Sequence, residues 1–130
     1  MKSLKNVLAI VSEVEFITLY INQPLFGDVC SFLASQELSF HHFLGLAGRT
    51  LHPIIINAND CSATQHLWAD ALFVRDVQTA GRLTARQLLK LSVLALLYGS
   101  PDLTYYCLAI YDQQKQTQTA KTFLDAVSIS

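Results

Sequence analysis

Asn59-Asp60-Cys61-Ser62, with His66 close behind, is the stretch whose residue types come nearest to an active site. Cys61 precedes an expected helix start, where the positive end of the helix dipole lowers a thiol pKa and favours the nucleophilic thiolate. His66, on the first turn of that helix, has the chemistry of a general base. The two define one functional reading, a cysteine/histidine-dependent enzyme centred on Cys61 and His66. The same residues also have a plainer role: Asp60 and Ser62 cap the helix and Cys61 packs as a small hydrophobe. Nothing elsewhere in the chain supports a nucleophile, so no catalytic residue is assigned and the chain is read as a non-enzyme.

Metal and cofactor chemistry find less. His41, His42, His52 and His66 could in principle join Cys30 or Cys61 around zinc. Structural zinc sites draw on closely spaced pairs of the C-x2-C or H-x3-H kind, and the chain has none. His41 and His42 are adjacent, so on a helix they face different sides. His66 and Asp70 are four apart and would meet on a helix face as a modest surface pair. The glycines at 27, 45, 48, 81 and 99 are dispersed and form no phosphate-cradling loop. No metal ligand and no cofactor site is expected.

Aromatic side chains are the remaining lead. Tyr105, Tyr106 and Tyr111 follow the Gly99-Ser100-Pro101 turn, and Phe16, Tyr20, Phe26 and Phe40 make a second aromatic-rich region. Tyrosine joins apolar area to a polar tip and anchors many interfaces. The residues assigned to partner binding are Tyr105, Tyr111, Leu96, Tyr98 and Phe26.

The segments that would position these residues read mainly as helices. Leu4, Val7, Leu8, Val11 and Val14 recur at helical spacing, predicting a first helix from about Ser3 to about Tyr20; the β-branched and aromatic run 14–21 offers a strand as the alternative. Pro24 opens a second helix over 24–35, in which Gly27 either weakens the helix or permits a close approach. A short third helix is expected over 40–47, from Phe40, Phe43, Leu44 and Ala47. Residues 53–57 could be a short strand. Ser62 to Gln65 matches a capping box and predicts a helix over 62–79. Thr84 to Gln87 matches a second, opening a helix over 84–98 that is apolar on nearly every side, with Lys90 as its only charge beyond Arg86. Ser100-Pro101-Asp102 starts the next helix at once, and 119–127 closes the chain. Short links make consecutive helices antiparallel neighbours. The expected fold is therefore mainly α: a single domain, 1–130, in a compact bundle of about five to six helices. An α+β fold with short strands near 14–21 and 53–57 is the alternative.

Two local resemblances follow from these links. The Gly99-Ser100-Pro101 turn between small Ala95 and Ala109 resembles the turn of a tetratricopeptide hairpin, over one hairpin and without its Trp and Leu-Gly positions. Leu83-Thr84-Ala85-Arg86-Gln87 resembles the opening of a bacterial helix-turn-helix regulator. The helix that would then read bases, PDLTYYCLAIYDQQ, is acidic at its start and has no Arg or Lys before Lys115, whereas major-groove readout draws on basic and amide side chains near the helix start.

Composition weights these readings. The 130 residues carry a net charge of −1, with 52% hydrophobic and only 15% charged residues. The basic residues are scattered, which argues against nucleic acid as a partner. Three widely spaced cysteines are no disulfide framework and suit a reducing compartment, the cytoplasm. The most apolar run is too short to span a membrane and carries Lys90. A mean hydropathy of +0.33 implies apolar surface left over outside the core, the mark of an interface. The leading reading is a small cytoplasmic protein that binds another protein chain, or itself, through apolar helix faces. An adaptor, a secretion-type chaperone and an immunity protein all suit it; the enzyme and the helix-turn-helix regulator are the alternatives.

Overall fold

In a computed structural model of the chain, which describes residues 4–49 and 65–128, the N-terminal half is built on a β-sheet. Strands β1 (Ala9–Glu15), β2 (Leu38–Arg49) and β3 (Gln65–Arg75) form a three-stranded sheet in the order β1-β3-β2, and helix α1 (Phe26–Ser35) lies between β1 and β2 in sequence. The C-terminal half is helical: α2 (Ala85–Leu97), α3 (Pro101–Lys115) and α4 (Thr119–Ser128) follow a 3-10 turn over Val77–Arg82. The chain divides into two compact units, Met1–Val74 and Arg75–Ser130. The fold is α+β, and the expectation of a mainly α bundle of five to six helices is overturned by the antiparallel sheet.

Three expected helices are strands, and in each case the pattern was ambiguous. In β1 the helical spacing of Leu4, Val7, Leu8 and Val11 coexists with a two-residue alternation in which Ile10 and Val14 meet the core while Glu13 is exposed. The antiparallel partner decides between them: Ala9 pairs with Val74, Val11 with Leu72 and Glu15 with Trp68. The alternative strand over 14–21 shares only Val14 and Glu15 with β1. Beyond it the chain turns, with the N–H groups of Leu19 and Tyr20 donating to Gln23 Oε1 at 2.9 and 3.2 Å. The other alternative strand, 53–57, lies outside the described residues.

The region expected as a helix over 62–79 holds β3. In it Ala69, Ala71 and Phe73, two apart, join Val14, Leu33 and Leu38 in one buried cluster. Every residue from Ala71 to Arg75 is buried, as befits a central strand covered on both faces. A strand buried on both faces loses its alternation and reads like a buried helix. The expected helix over 40–47 is the middle of β2. Phe40 and Phe43 both meet the ring of Phe26, at 5.2 and 5.3 Å between centroids. Residues three apart on a regular strand point to opposite faces, so β2 departs from strict alternation there and imitates a helical period.

Helix α1 packs on β2 and β1. Its first turn is tied by Asp28, whose carboxylate accepts from the N–H of Leu25 at 2.9 Å. At Gly27 an added Cβ would meet nothing within 4 Å, so this glycine serves no close approach.

The helical unit matches its local signals. Thr84 Oγ1 accepts from the N–H of Gln87 at 3.2 Å, and Gln87 Oε1 accepts from the N–H of Thr84 at 2.9 Å, closing the capping box. At the far end Gly99 takes φ 78°, a left-handed conformation that glycine adopts at little cost. It lets the N–H of Ser100 reach the carbonyl of Ala95 at 2.8 Å. α3 then folds back on α2, and α4 packs on α3. The buried Thr104 hydroxyl of α3 donates to the Ser92 carbonyl of α2 at 2.8 Å, fixing the hairpin with a bond shielded from water.

Candidate functional site

α2 has two different sides. Leu88, Leu91, Ser92 and Ala95 are buried. A second side, formed by Leu89, Val93, Leu96 and Leu97, stays in solvent, with Val93 57% and Leu97 73% exposed. These four recur at 89, 93, 96 and 97, which is one stripe of an α-helix. The capping box and Gly99 hold the stripe in register, so a rigid apolar strip runs about 12 Å along the helix axis. Arg86 and Lys90 flank it and are exposed. Neither makes an ion pair with another described residue. The four aliphatic side chains themselves carry no nucleophile, acid or base. Such a surface can exclude water against a complementary apolar surface and orient that surface by charge.

The residues assigned to partner binding from sequence do not all come together. Leu96 lies in the stripe, and Tyr98 follows α2, 39% exposed. Tyr105 is exposed on α3 and Tyr111 is half-buried there. Phe26 belongs to the other unit, where its ring meets Phe16, Phe40 and Phe43 in edge-on and tilted contacts. It is part of that unit's packing. Leu89, Val93 and Leu97 were missed, because every leucine of an all-round apolar helix looks equally buried in sequence.

The enzyme and metal readings meet different obstacles. Cys61 and His52 lie outside the described residues. His66 is exposed on β3, its ring 6.0 Å from that of Phe16. On a strand, His66 and Asp70 are about 13 Å apart along the chain, so the expected helical pair does not form. Cys107 is fully buried on α3, and burial pushes its thiol up to about 11; Cys30 is also raised by burial. Both are held away from the reactive thiolate at neutral pH. Among the described residues no group of three His, Cys, Asp or Glu side chains could hold a metal ion.

Two further surfaces lie in the sheet unit. A concavity of about 420 Å³ is lined by Ile10, Pro24, Val29, Phe32 and Leu33. On the other face of the sheet, Glu13 stands directly opposite Asp70 across the β1–β3 pair, a like-charge pairing that costs stability. Desolvation, followed by the hydrogen bond and charge of Glu13, raises the pKa of neighbouring Glu15. A shallow hollow of about 230 Å³ beside Glu13 and Asp70 also takes in Leu46 and Trp68.

Among the described residues no helix is long and apolar enough to cross a membrane. No family model matches the chain, nor does any curated protein or solved structure resemble it to a significant degree.

Proposed function

We propose that this chain works by binding another protein chain, through the exposed apolar stripe of α2. The observation that carries this reading is the side-to-side contrast of that helix. Four large aliphatic residues face solvent on a helix whose limits are held by caps at both ends. Leaving a Leu or Val side chain in water forgoes about 1.5–3 kcal/mol that burial would provide. Loops and frayed ends carry such residues without meaning, but a rigid, continuous stripe presents them to a partner. A role as adaptor, secretion-type chaperone or immunity protein in the cytoplasm fits, since each needs a binding face and none needs a catalytic group.

The test is a comparison of the wild type with Val93→Ser/Leu97→Ser, in which no buried side chain is altered. Both are purified at native expression levels and analysed by size-exclusion chromatography with light scattering. The expected result is a complex or oligomer in the wild type, and its loss in the variant with an unchanged circular dichroism spectrum. A wild type that runs as a salt-insensitive monomer with nothing bound overturns the reading.

A further inference from the structure

We infer that the partner seated on this stripe is a second copy of the chain, its α2 antiparallel to the first. This rests on the reading that the stripe is a protein-binding face and adds who occupies it. The argument comes from charge. α2 has no acidic residue in its first turn and no basic residue in its last, whereas Arg86 and Lys90 occupy its N-terminal half. A helix N-terminus carries a partial positive charge and a C-terminus a partial negative one. Arg86, in the first turn, therefore stands at the wrong end of its own helix, and Lys90 follows one turn later near its middle; both are exposed and without an ion pair to another described residue.

An antiparallel copy corrects this. With Val93 set against Val93 of the second copy, Leu89 lies against Leu97 of that copy, and Leu97 against its Leu89. In the same register Lys90 lies level with Leu96 and Arg86 with Ser100 of the second copy, so both cations approach the C-terminal end of the other α2. Exposed Asp102, the second residue of α3 and five residues beyond Leu97, adds a negative charge at that end while also accepting from the Ser100 hydroxyl at 2.9 Å. One surface thus supplies both halves of its own complement, apolar against apolar and positive end against negative end, as a two-fold interface requires. A parallel copy would place the four cations side by side and is disfavoured. The stripe is short, so the pair belongs to the small, reversible class of interfaces, and its charge component weakens with salt.

The experiment is sedimentation velocity of the full chain over about a hundredfold range of concentration. The wild type is run alone, beside Arg86→Glu/Lys90→Glu, Asp102→Arg, and an equimolar mixture of those two variants. The expected result is a monomer–dimer equilibrium in the wild type, at least about tenfold weaker in each charge variant by itself. In the mixed pair the reversed charges face each other at one end and the native charges face each other at the other, so dimerisation returns. Circular dichroism of each variant keeps a folding defect from passing as a lost contact. Two results overturn the inference: a wild type monomeric at every concentration, or a mixture no tighter than its components. If Val93→Ser/Leu97→Ser nevertheless loses a different bound protein, the binding reading stands while the self-pair falls; if nothing binds either form, both fall.

Discussion

Asp112 shows how much one half-buried side chain can organise. Its carboxylate accepts from the N–H of Thr119 at 3.0 Å and of Ala120 at 2.8 Å, the first two residues of α4, and also from the hydroxyls of Thr117 and Thr119. It caps a helix from the end of the preceding one. Desolvation raises its pKa, but the bonds from Thr117, Thr119 and Ala120 outweigh it and hold the group at about 2. A carboxylate with a folded pKa below its unfolded value of about 3.9 stabilises the fold above that value, and loses this stabilisation as pH falls through the folded pKa. Asp112→Ala is therefore expected to cost about 1 kcal/mol at neutral pH, the usual worth of a helix cap. Urea denaturation of both proteins from about pH 7 down to about pH 2 should show the gap narrowing as the wild-type carboxylate protonates. A gap that is constant with pH would mean that charge contributes nothing to the cap.

At the scale of the element, α2 makes two predictions from one helix. Leu88 is fully buried and Leu97 is largely exposed. Leu88→Ala should cost about 2–5 kcal/mol through lost burial and the cavity left behind. Leu97→Ala should change monomer stability by less than about 0.5 kcal/mol while weakening association. Equilibrium denaturation of the two variants at low protein concentration checks the pair; equal losses would mean that Leu97 is a core residue and the stripe is no binding face. The caps that bound this helix are local chemistry, so its limits were legible in the residues around Thr84 and Gly99. Its two sides were not. Leu88 and Leu89 are identical in the sequence, and only α3 folding back on α2 makes one of that helix's sides an inside. The exposed stripe was legible as an apolar surplus and Leu96 as one of its members, but not as a position on the molecule.

Over the whole molecule, apolar surface and near-neutral charge combine. The isoelectric point is about 6.4 and the net charge at pH 7 is −1, so little repulsion opposes association through exposed aliphatic side chains. Static light scattering against pH should show maximal association near pH 6.4. Val93→Ser/Leu97→Ser should flatten that maximum; a maximum of unchanged height would place the sticky surface elsewhere, with the concavity beside Phe32 the next to test. The two compact units also divide what could be read in advance. Caps, turn glycines and a proline are signals that act within a few residues, and they delimit α2 and α3 whatever surrounds them. β1, β2 and β3 have no such autonomy. The residues 9–15, 38–49 and 65–75 carry apolar spacing compatible with either periodicity, and a lone strand has no hydrogen-bond partner of its own. Pairing between Ala9 and Val74, far apart in the chain, settles the backbone of both. A helix satisfies its backbone within itself, so sequence can specify it locally; a strand is satisfied only by another strand, and here the arrival of β3 between β1 and β2 turned ambiguous segments into a sheet.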